Sequence, residues 1–107
     1  MKIVRASEGI RGPVSDPGAT WGGGNFDLPS GEGFPYHRHI HHEELIGVTT
    51  GEVELCLEGE QFTLGASDFV VVERGEAHSL AVRSARATGW FLKFPNLPTD
   101  RISADSP

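Results

Sequence analysis

The stretch Gly31–Gly51 reads GEGFPYHRHIHHEELIGVTTG and holds four of the chain's five histidines within six residues. Two glutamates, Glu43 and Glu44, follow the last of these histidines directly. Histidine and carboxylate side chains hold divalent transition metals, and the neutral imidazole is the commonest such ligand. A histidine run at a chain end would be typical of a purification tag. Because this run lies at the centre of the chain, between a glycine-rich lead-in and a strand-like sequel, it predicts a metal site.

The segment after Gly51 alternates apolar and polar side chains with a period of two. Within Glu52–Glu58 the glutamates share one face, and the apolar residues share the other: Val53, Leu55 and Leu57. This pattern predicts a half-buried antiparallel strand. The pair Gly59–Glu60 then predicts a tight hairpin turn that returns through Gln61–Leu64.

Further short strands are predicted on both sides of this hairpin, separated by turn-forming residues. They cover Leu45–Thr50, Phe69–Val72, His78–Val82 and Thr88–Phe94, and Thr20–Leu28 is a candidate edge strand. The first apolar run after the hairpin, Phe69–Val72, is expected to be buried on both faces. Three residues of the last strand share a face and are expected in the core: Trp90, Leu92 and Phe94. Fourteen glycines and seven prolines fit many turns, so the chain is predicted to be an all-β barrel or sandwich.

The two ends of the chain are less regular. Lys2–Arg5 is a candidate edge strand, and Gly9–Gly18 is predicted to be a loop because it contains two prolines. After Phe94 the chain is rich in proline and polar residues, which predicts a disordered or surface-hugging tail.

Length and charge exclude several classes of protein. A chain of 107 residues forms one domain. The net charge of -6 argues against nucleic-acid binding, which needs clustered lysine and arginine. No apolar run approaches the ~20 residues of a membrane span, and the start lacks the apolar region of a signal peptide. The single cysteine, Cys56, fits a reducing cytosol, so a cytoplasmic protein is expected.

The metal candidates fall on different predicted strands. His37 and His39 are two residues apart, so both side chains project to one face of an extended strand. Glu44 opens the next strand and can return towards this pair, while His78 begins a separate strand that a barrel could bring alongside. Three imidazoles and one carboxylate suit Fe, Mn, Ni, Cu, Co or Zn, and they leave coordination positions open for water or substrate.

At these residues the sequence resembles the cupin superfamily. The first cupin motif, G(x)5HxH(x)3-4E(x)6G, is met in full by Gly31, His37, His39, Glu44 and Gly51. The second, G(x)5PxG(x)2H(x)3N, is met in part, with Gly75 and His78 in place. Its other three positions differ: Ser67, Glu73 and Val82. These departures affect turns and one pocket-wall position.

The resemblance implies a small metal-binding cupin, a double-stranded β-helix or jelly-roll β-barrel. A single domain would cover residues 1–107, with its core at about 20–94 and a flexible tail at 95–107. Cupins are usually dimeric, so a homodimer is expected. One divalent transition metal ion would be held inside the barrel by His37, His39, Glu44 and His78, and no other cofactor is expected.

Three neighbouring residues are weak candidates for a catalytic role: His41, His42 and Glu43. The two histidines are expected on a turn at the mouth of the barrel, either exposed to solvent or acting as a proton shuttle or substitute ligand. Glu43 is expected to be solvated, although its place beside Glu44 leaves open which of the two binds metal; the family spacing to Gly51 favours Glu44.

Three functions fit these features. The favoured one is a dioxygenase-type oxidoreductase acting on a small organic molecule. The second is an isomerase or lyase in which the metal acts as a Lewis acid and a histidine or Glu43 moves a proton. The third is a non-catalytic cupin that binds a small ligand such as a sugar or metabolite. The partner in each case is a small molecule, and neither nucleic acid nor a membrane is expected.

Overall fold

The computed structural model describes residues 3–5, 7–13, 18–97 and 99–104, and these residues form ten β-strands and no helix. The strands are β1 Gly9–Arg11, β2 Gly22–Pro29, β3 Gly33–Arg38, β4 Glu43–Thr50, β5 Val53–Leu57, β6 Glu60–Leu64, β7 Phe69–Val72, β8 His78–Val82, β9 Arg86–Phe94 and β10 Ile102–Ser103. Accordingly, the described residues include no helix long and apolar enough to cross a membrane.

The strands form two five-stranded antiparallel sheets. The first sheet has the order β1-β2-β9-β4-β7, and the second has the order β10-β3-β8-β5-β6. Consecutive strands repeatedly cross from one sheet to the other, as in a jelly roll. The predicted all-β jelly-roll fold is therefore confirmed.

The hairpin between β5 and β6 shows how local sequence sets register. Leu57 pairs with Glu60, which leaves a two-residue turn of Glu58 and Gly59, with φ of 48° and 83°. Two positive φ values are the mark of a type I′ turn, whose twist matches that of the strands it joins. The turn therefore lies one residue earlier than the predicted Gly59–Glu60.

The hydrophobic core lies between the two sheets. Its buried members are Phe26, Leu28, Ile46, Val48, Val53, Val72, Leu80, Val82, Ala87 and Phe91. On β5, Val53 and Leu55 are buried and Leu57 packs against the core, which confirms the predicted inward face of that strand.

Two predictions of burial are wrong. On β7, Phe69 is 58% exposed and Val71 is 46% exposed, because β7 is the edge strand of the first sheet and only its inner face is covered. On β9 the core residue is Phe91, whereas the three residues expected in the core lie on the outer face: Trp90, Leu92 and Phe94. In a two-layer fold each sheet buries one face only.

The chain ends differ in part from the predictions. Gly9–Arg11, expected within a loop, forms β1 and pairs with β2; residues 14–17 of that loop lie outside the described residues. Residues 3–5 form no strand, and Lys2 lies outside the described part. In the segment expected as a tail, β10 pairs with β3, so its described residues lie against the barrel surface. Pro98 and residues 105–107 lie outside the described residues.

A substitution at Gly89 tests the packing on the inner face of the first sheet. A Cβ there would overlap the Gly47 carbonyl oxygen and the ring of buried Phe26, so Gly89→Ala is expected to lower the free energy of unfolding by about 2 kcal/mol. The matched control is Gly65→Ala, whose Cβ would meet only Asp68 Oδ2 at 3.9 Å. Chemical denaturation measures both variants, and equal stabilities would contradict the packing described.

Candidate metal centre

A β-bulge on β3 aims His37 at the interior. Phe34 pairs with Leu80 and His37 with His78, so two residues of β3 lie opposite a single residue of β8. This extra residue reverses the alternation of side chains. As a result, Phe34 packs against the core and His37 is buried, although their spacing of three would otherwise place them on opposite faces.

The structure brings the four predicted metal-binding residues together at one end of the space between the sheets. His37 on β3 and His78 at the start of β8 belong to the second sheet, His39 lies just beyond the end of β3, and Glu44 on β4 belongs to the first sheet. All four are buried, and each offers a ligand atom within 4.8 Å of the others. Glu43 is excluded from this cluster because it alternates with Glu44 and is exposed.

Backbone carbonyls orient the three imidazole rings. Nδ1 of His37 donates to the Pro35 oxygen at 2.5 Å, Nδ1 of His39 to the Asp100 oxygen at 2.5 Å, and Nδ1 of His78 to the Glu76 oxygen at 3.2 Å. A carbonyl only accepts, so each Nδ1 carries the hydrogen and each Nε2 presents an unshared pair to the cluster.

The resulting donor set fits a cation. Nε2 of His37 and Nε2 of His39 lie 3.0 Å apart, and Glu44 Oε1 lies 3.1 Å from His78 Nε2 and 3.5 Å from His39 Nε2. With the hydrogens on Nδ1, these four atoms direct unshared pairs at one another. A divalent metal ion among them would turn this repulsion into coordination, and nitrogen with carboxylate oxygen is a common ligand set for transition metals.

The protonation states also suit metal binding. Burial, together with the charges of His78 and Arg101, lowers the pKa of His37 to about 4, against the opposing hydrogen bond to Pro35. Burial raises the pKa of Glu44, but the nearby charge of Lys93 contributes to holding it well below its usual range. At neutral pH His37 is therefore neutral and Glu44 is ionised.

His42 does not lie where the sequence predicts. Instead of being exposed at the barrel mouth, it is 1% exposed, and its ring centroid lies 4.1 Å from that of His39. Its Nδ1 is 3.3 Å from Asp100 Oδ2, and burial with the charges of His39 and Lys93 lowers its pKa to about 4. The prediction was wrong because residues 99–104 return over this turn. His41, by contrast, is exposed as expected.

Asp100 is a part of the site that the sequence did not reveal. Its backbone carbonyl orients His39, and its carboxylate accepts hydrogen bonds from the backbone amides of Ile40 at 3.1 Å and His41 at 2.6 Å. Burial raises the pKa of Asp100, but these two amides outweigh it and lower the pKa. One residue thus supports both a candidate ligand and the turn that follows it. No local pattern marks Asp100, because its role depends on contacts some 60 residues away in the chain.

A cavity of about 260 Å³ opens beside the cluster. His37, Glu44 and His78 form one wall, and apolar side chains form most of the rest: Ile10, Phe34, Ile46 and Phe91. The lining is completed by Gly12 and Pro13, and it also contains two cations, Lys93 and Arg101. Sequence reasoning missed both, although Lys93 shares the strand parity of Phe91 and would have been found by choosing the other face of β9.

Comparisons with known proteins agree with this geometry. The cupin-domain family model matches residues 24–92 of this chain. Over 56 residues the chain is 38% identical to quercetin 2,3-dioxygenase of Bacillus subtilis (strain 168); the match covers 52% of this chain and 17% of that enzyme. The chain therefore spans a small part of the curated relative that it matches.

Two solved structures illustrate the likeness of fold. An uncharacterized conserved protein with a double-stranded β-helix domain from Klebsiella pneumoniae has a TM-score of 0.79 at 21% identity, with 96% of this chain and 91% of that one covered. The DMSP lyase DddQ from Ruegeria pomeroyi has a TM-score of 0.69 at 24% identity, with 79% and 43% covered. With the family model matching well over half of its length, this chain belongs to the cupin family.

Proposed function

We propose that this protein is a metal-dependent, dioxygenase-type oxidoreductase that acts on a small organic molecule. The observation that carries the proposal is the convergence of four unshared electron pairs, from three histidines and Glu44, beside a largely apolar cavity. The 38% identity to part of a quercetin 2,3-dioxygenase supports the oxidative reaction.

The residues of the chain have separate tasks in this proposal. His37, His39, Glu44 and His78 would hold one divalent ion of a redox-active metal such as Fe, Mn, Ni, Cu or Co. When bound, such an ion supplies the electron exchange that reaction with dioxygen requires. The apolar walls formed by Phe34, Ile46 and Phe91 exclude water and hold the substrate against the histidine side of the cavity.

The positions of the other candidate residues favour oxygenation over isomerase or lyase chemistry. Those reactions need a side chain that moves a proton at the substrate. His41 and Glu43 are exposed, His42 is covered by His39 and Asp100, and none of the three is among the described residues that line the cavity. We therefore assign no proton transfer to them.

The ligand assignment predicts a selective loss of metal. His78→Ala is expected to weaken transition-metal affinity by more than about 100-fold, because outer contacts alone are worth 10–100-fold. The matched control is His41→Ala, which removes an exposed histidine of the same run and is expected to bind metal as the parent does. Elemental analysis and competition titration of untagged protein measure both. An equal loss in the two variants, or a parent that takes up no Fe, Mn, Ni, Cu, Co or Zn, would contradict the assignment.

Oxygen consumption tests the reaction. The Fe(II)-loaded protein is expected to consume dioxygen in the presence of one of a panel of small organic molecules that includes carboxylic acids, and the Zn-loaded protein is expected to consume none, since Zn²⁺ has no redox chemistry. An oxygen electrode with product analysis measures both forms. Conversion of a substrate at the same rate under argon would indicate the isomerase or lyase alternative, and tight binding without conversion would indicate a ligand-binding cupin.

We propose that two copies of this chain associate through the outer face of the first sheet. Three residues there are apolar and exposed: Phe69 (58%) and Val71 (46%) on the edge strand β7, and Phe94 (39%) on β9. The ring of Trp90 lies next to Phe69, with centroids 6.3 Å apart, and extends this apolar face across Gly47. Contiguous exposed apolar surface of this kind marks an interaction site, and the unpaired edge of β7 adds to it.

Charge substitutions on this face are expected to dissociate the dimer. The variant carrying Phe69→Glu and Val71→Glu is expected to elute as a monomer, because a glutamate cannot be buried unpaired in an apolar interface. Phe62→Glu is the matched control, since Phe62 is 43% exposed on β6 of the other sheet. Light scattering after gel filtration gives the mass of each. A monomeric parent, or a dimer that survives the double substitution, would contradict the proposal.

We also propose that the protein acts in the cytoplasm on a small molecule. Its one cysteine, Cys56, is a buried free thiol on β5, as a reducing compartment allows. The net charge of -6 supports a partner other than nucleic acid. Fractionation of the cells that make the protein tests the location.

A further inference from the structure

The ammonium group of Lys93 lines the cavity beside the candidate metal ligands. It is the cross-strand partner of Glu44 in the β4–β9 pair, and residues directly opposite in such a pair project to the same face. Its side chain is half-buried, with Nζ 5.9 Å from the centre of the Phe91 ring, and it lines the cavity. Lys93 therefore lies on the inner face of a strand whose other inner residues form the core.

Arg101 reaches the same cavity from a different part of the chain. It follows Asp100, whose contacts hold this segment against the turn at residues 40–41, and it precedes β10, which pairs with β3. Its charge is close enough to His37 to lower the pKa of that imidazole, although burial is the larger cause. Two cations from separate segments thus flank one small cavity.

Neither cation forms an ion pair with a carboxylate among the described residues, although the charge of Lys93 contributes to the lowered pKa of Glu44. The ion pairs there involve Arg83 with Glu54 and Arg86 with Glu8 and Asp27, while the nearest acidic group to Lys93 on its sheet, Glu44, is in contact with His39 and His78. A cation directed into a partly buried, apolar space is costly unless an anion neutralises it. Lys93 is half-buried in this way, and Arg101 adds a second, exposed cation to the lining of the same cavity, so on a protein of net charge -6 the pair indicates a ligand of negative charge.

We propose that the substrate of this site is a small carboxylate, whose charged group pairs with Lys93 and Arg101 and whose apolar part lies against Phe34, Ile46 and Phe91. That the carboxylate is a substrate rests on the proposed function. That the cavity binds a carboxylate rests on the lining of the cavity alone. The planar guanidinium of Arg101 matches a carboxylate in a bidentate pair.

The volume of the cavity limits the size of the carboxylate that it can bind. At about 260 Å³ it lies just below the roughly 300–1,000 Å³ of ordinary ligand pockets. A carboxylate uses less of this space than a phosphate ester does, and it leaves room for a short apolar chain or a single ring against the two phenylalanines. A large ligand would not fit a cavity of this volume.

Binding to the metal-free protein tests the proposal without relying on catalysis. Benzoate and butyrate are titrated by calorimetry against their neutral amides, benzamide and butyramide, with phenylphosphonate as a second anion. At least one carboxylate is expected to bind ten- to a hundredfold more tightly than its amide, which is the range of a charge-assisted contact of about 1.5–3 kcal/mol. That preference is expected to fall about tenfold or more in Arg101→Gln and in Lys93→Met.

The control variant is Arg83→Gln, which removes an exposed arginine at the far end of β8 from His78 and is expected to leave binding unchanged. Since Arg101 is exposed, Arg101→Gln is expected to fold even if Lys93→Met does not. Carboxylates that bind no better than their amides, an equal loss in Arg83→Gln, or tighter binding of phenylphosphonate than of benzoate would each overturn the proposal. Carboxylate binding that depends on Lys93 and Arg101, in a protein that takes up no metal or no oxygen, would instead overturn the proposed oxygenase and leave the anion site standing.

Discussion

The candidate metal centre depends on one constraint. Three imidazole nitrogens and one carboxylate oxygen must be held between the two sheets with their unshared electron pairs directed at one another. Each imidazole presents Nε2 because a backbone carbonyl holds its Nδ1 hydrogen, and the carboxylate of Glu44 comes from the opposite sheet. Without a cation this arrangement is repulsive, so the barrel must supply the force that holds it. That force comes from the core between the sheets, where Val48, Leu80 and Phe91 bury their side chains and hold β4, β8 and β9 in place.

The segment after β9 completes the site. Asp100 orients His39 through its carbonyl and caps the backbone of the neighbouring turn through its carboxylate. Arg101, the next residue, carries a cation to the cavity wall. One short segment therefore connects the support of the candidate metal ligands with the charge that we propose for substrate recognition, and a change in its packing would affect both.

The strand pattern of the core was predictable, but the covered face of each strand often was not. On β5 valine and leucine alternate with glutamate, so only one face can be buried, and the structure confirms the predicted inward face. On β9 both faces carry large apolar residues. Sequence favoured Trp90, Leu92 and Phe94, whereas the structure buries Phe91 and turns Lys93 inward. The two-residue alternation of a strand shows which residues share a face. Which of the two faces is covered depends on where the second sheet packs. The bulge on β3 is a further example, because it depends on pairing with β8.

The sequence by itself determined the kinds of element and the set of residues that meet at the candidate metal centre. Turn residues and alternation are local properties, and the spacing of His37, His39, Glu44 and His78 follows from strand geometry and from the cupin motifs that the residues match. Only the tertiary structure decided that His42 is buried against His39, that Asp100 supports the site, and that Lys93 and Arg101 face one cavity. These features are contacts between segments far apart in the chain, and their geometry exists only once the two sheets have packed and the segment after β9 lies across the barrel end.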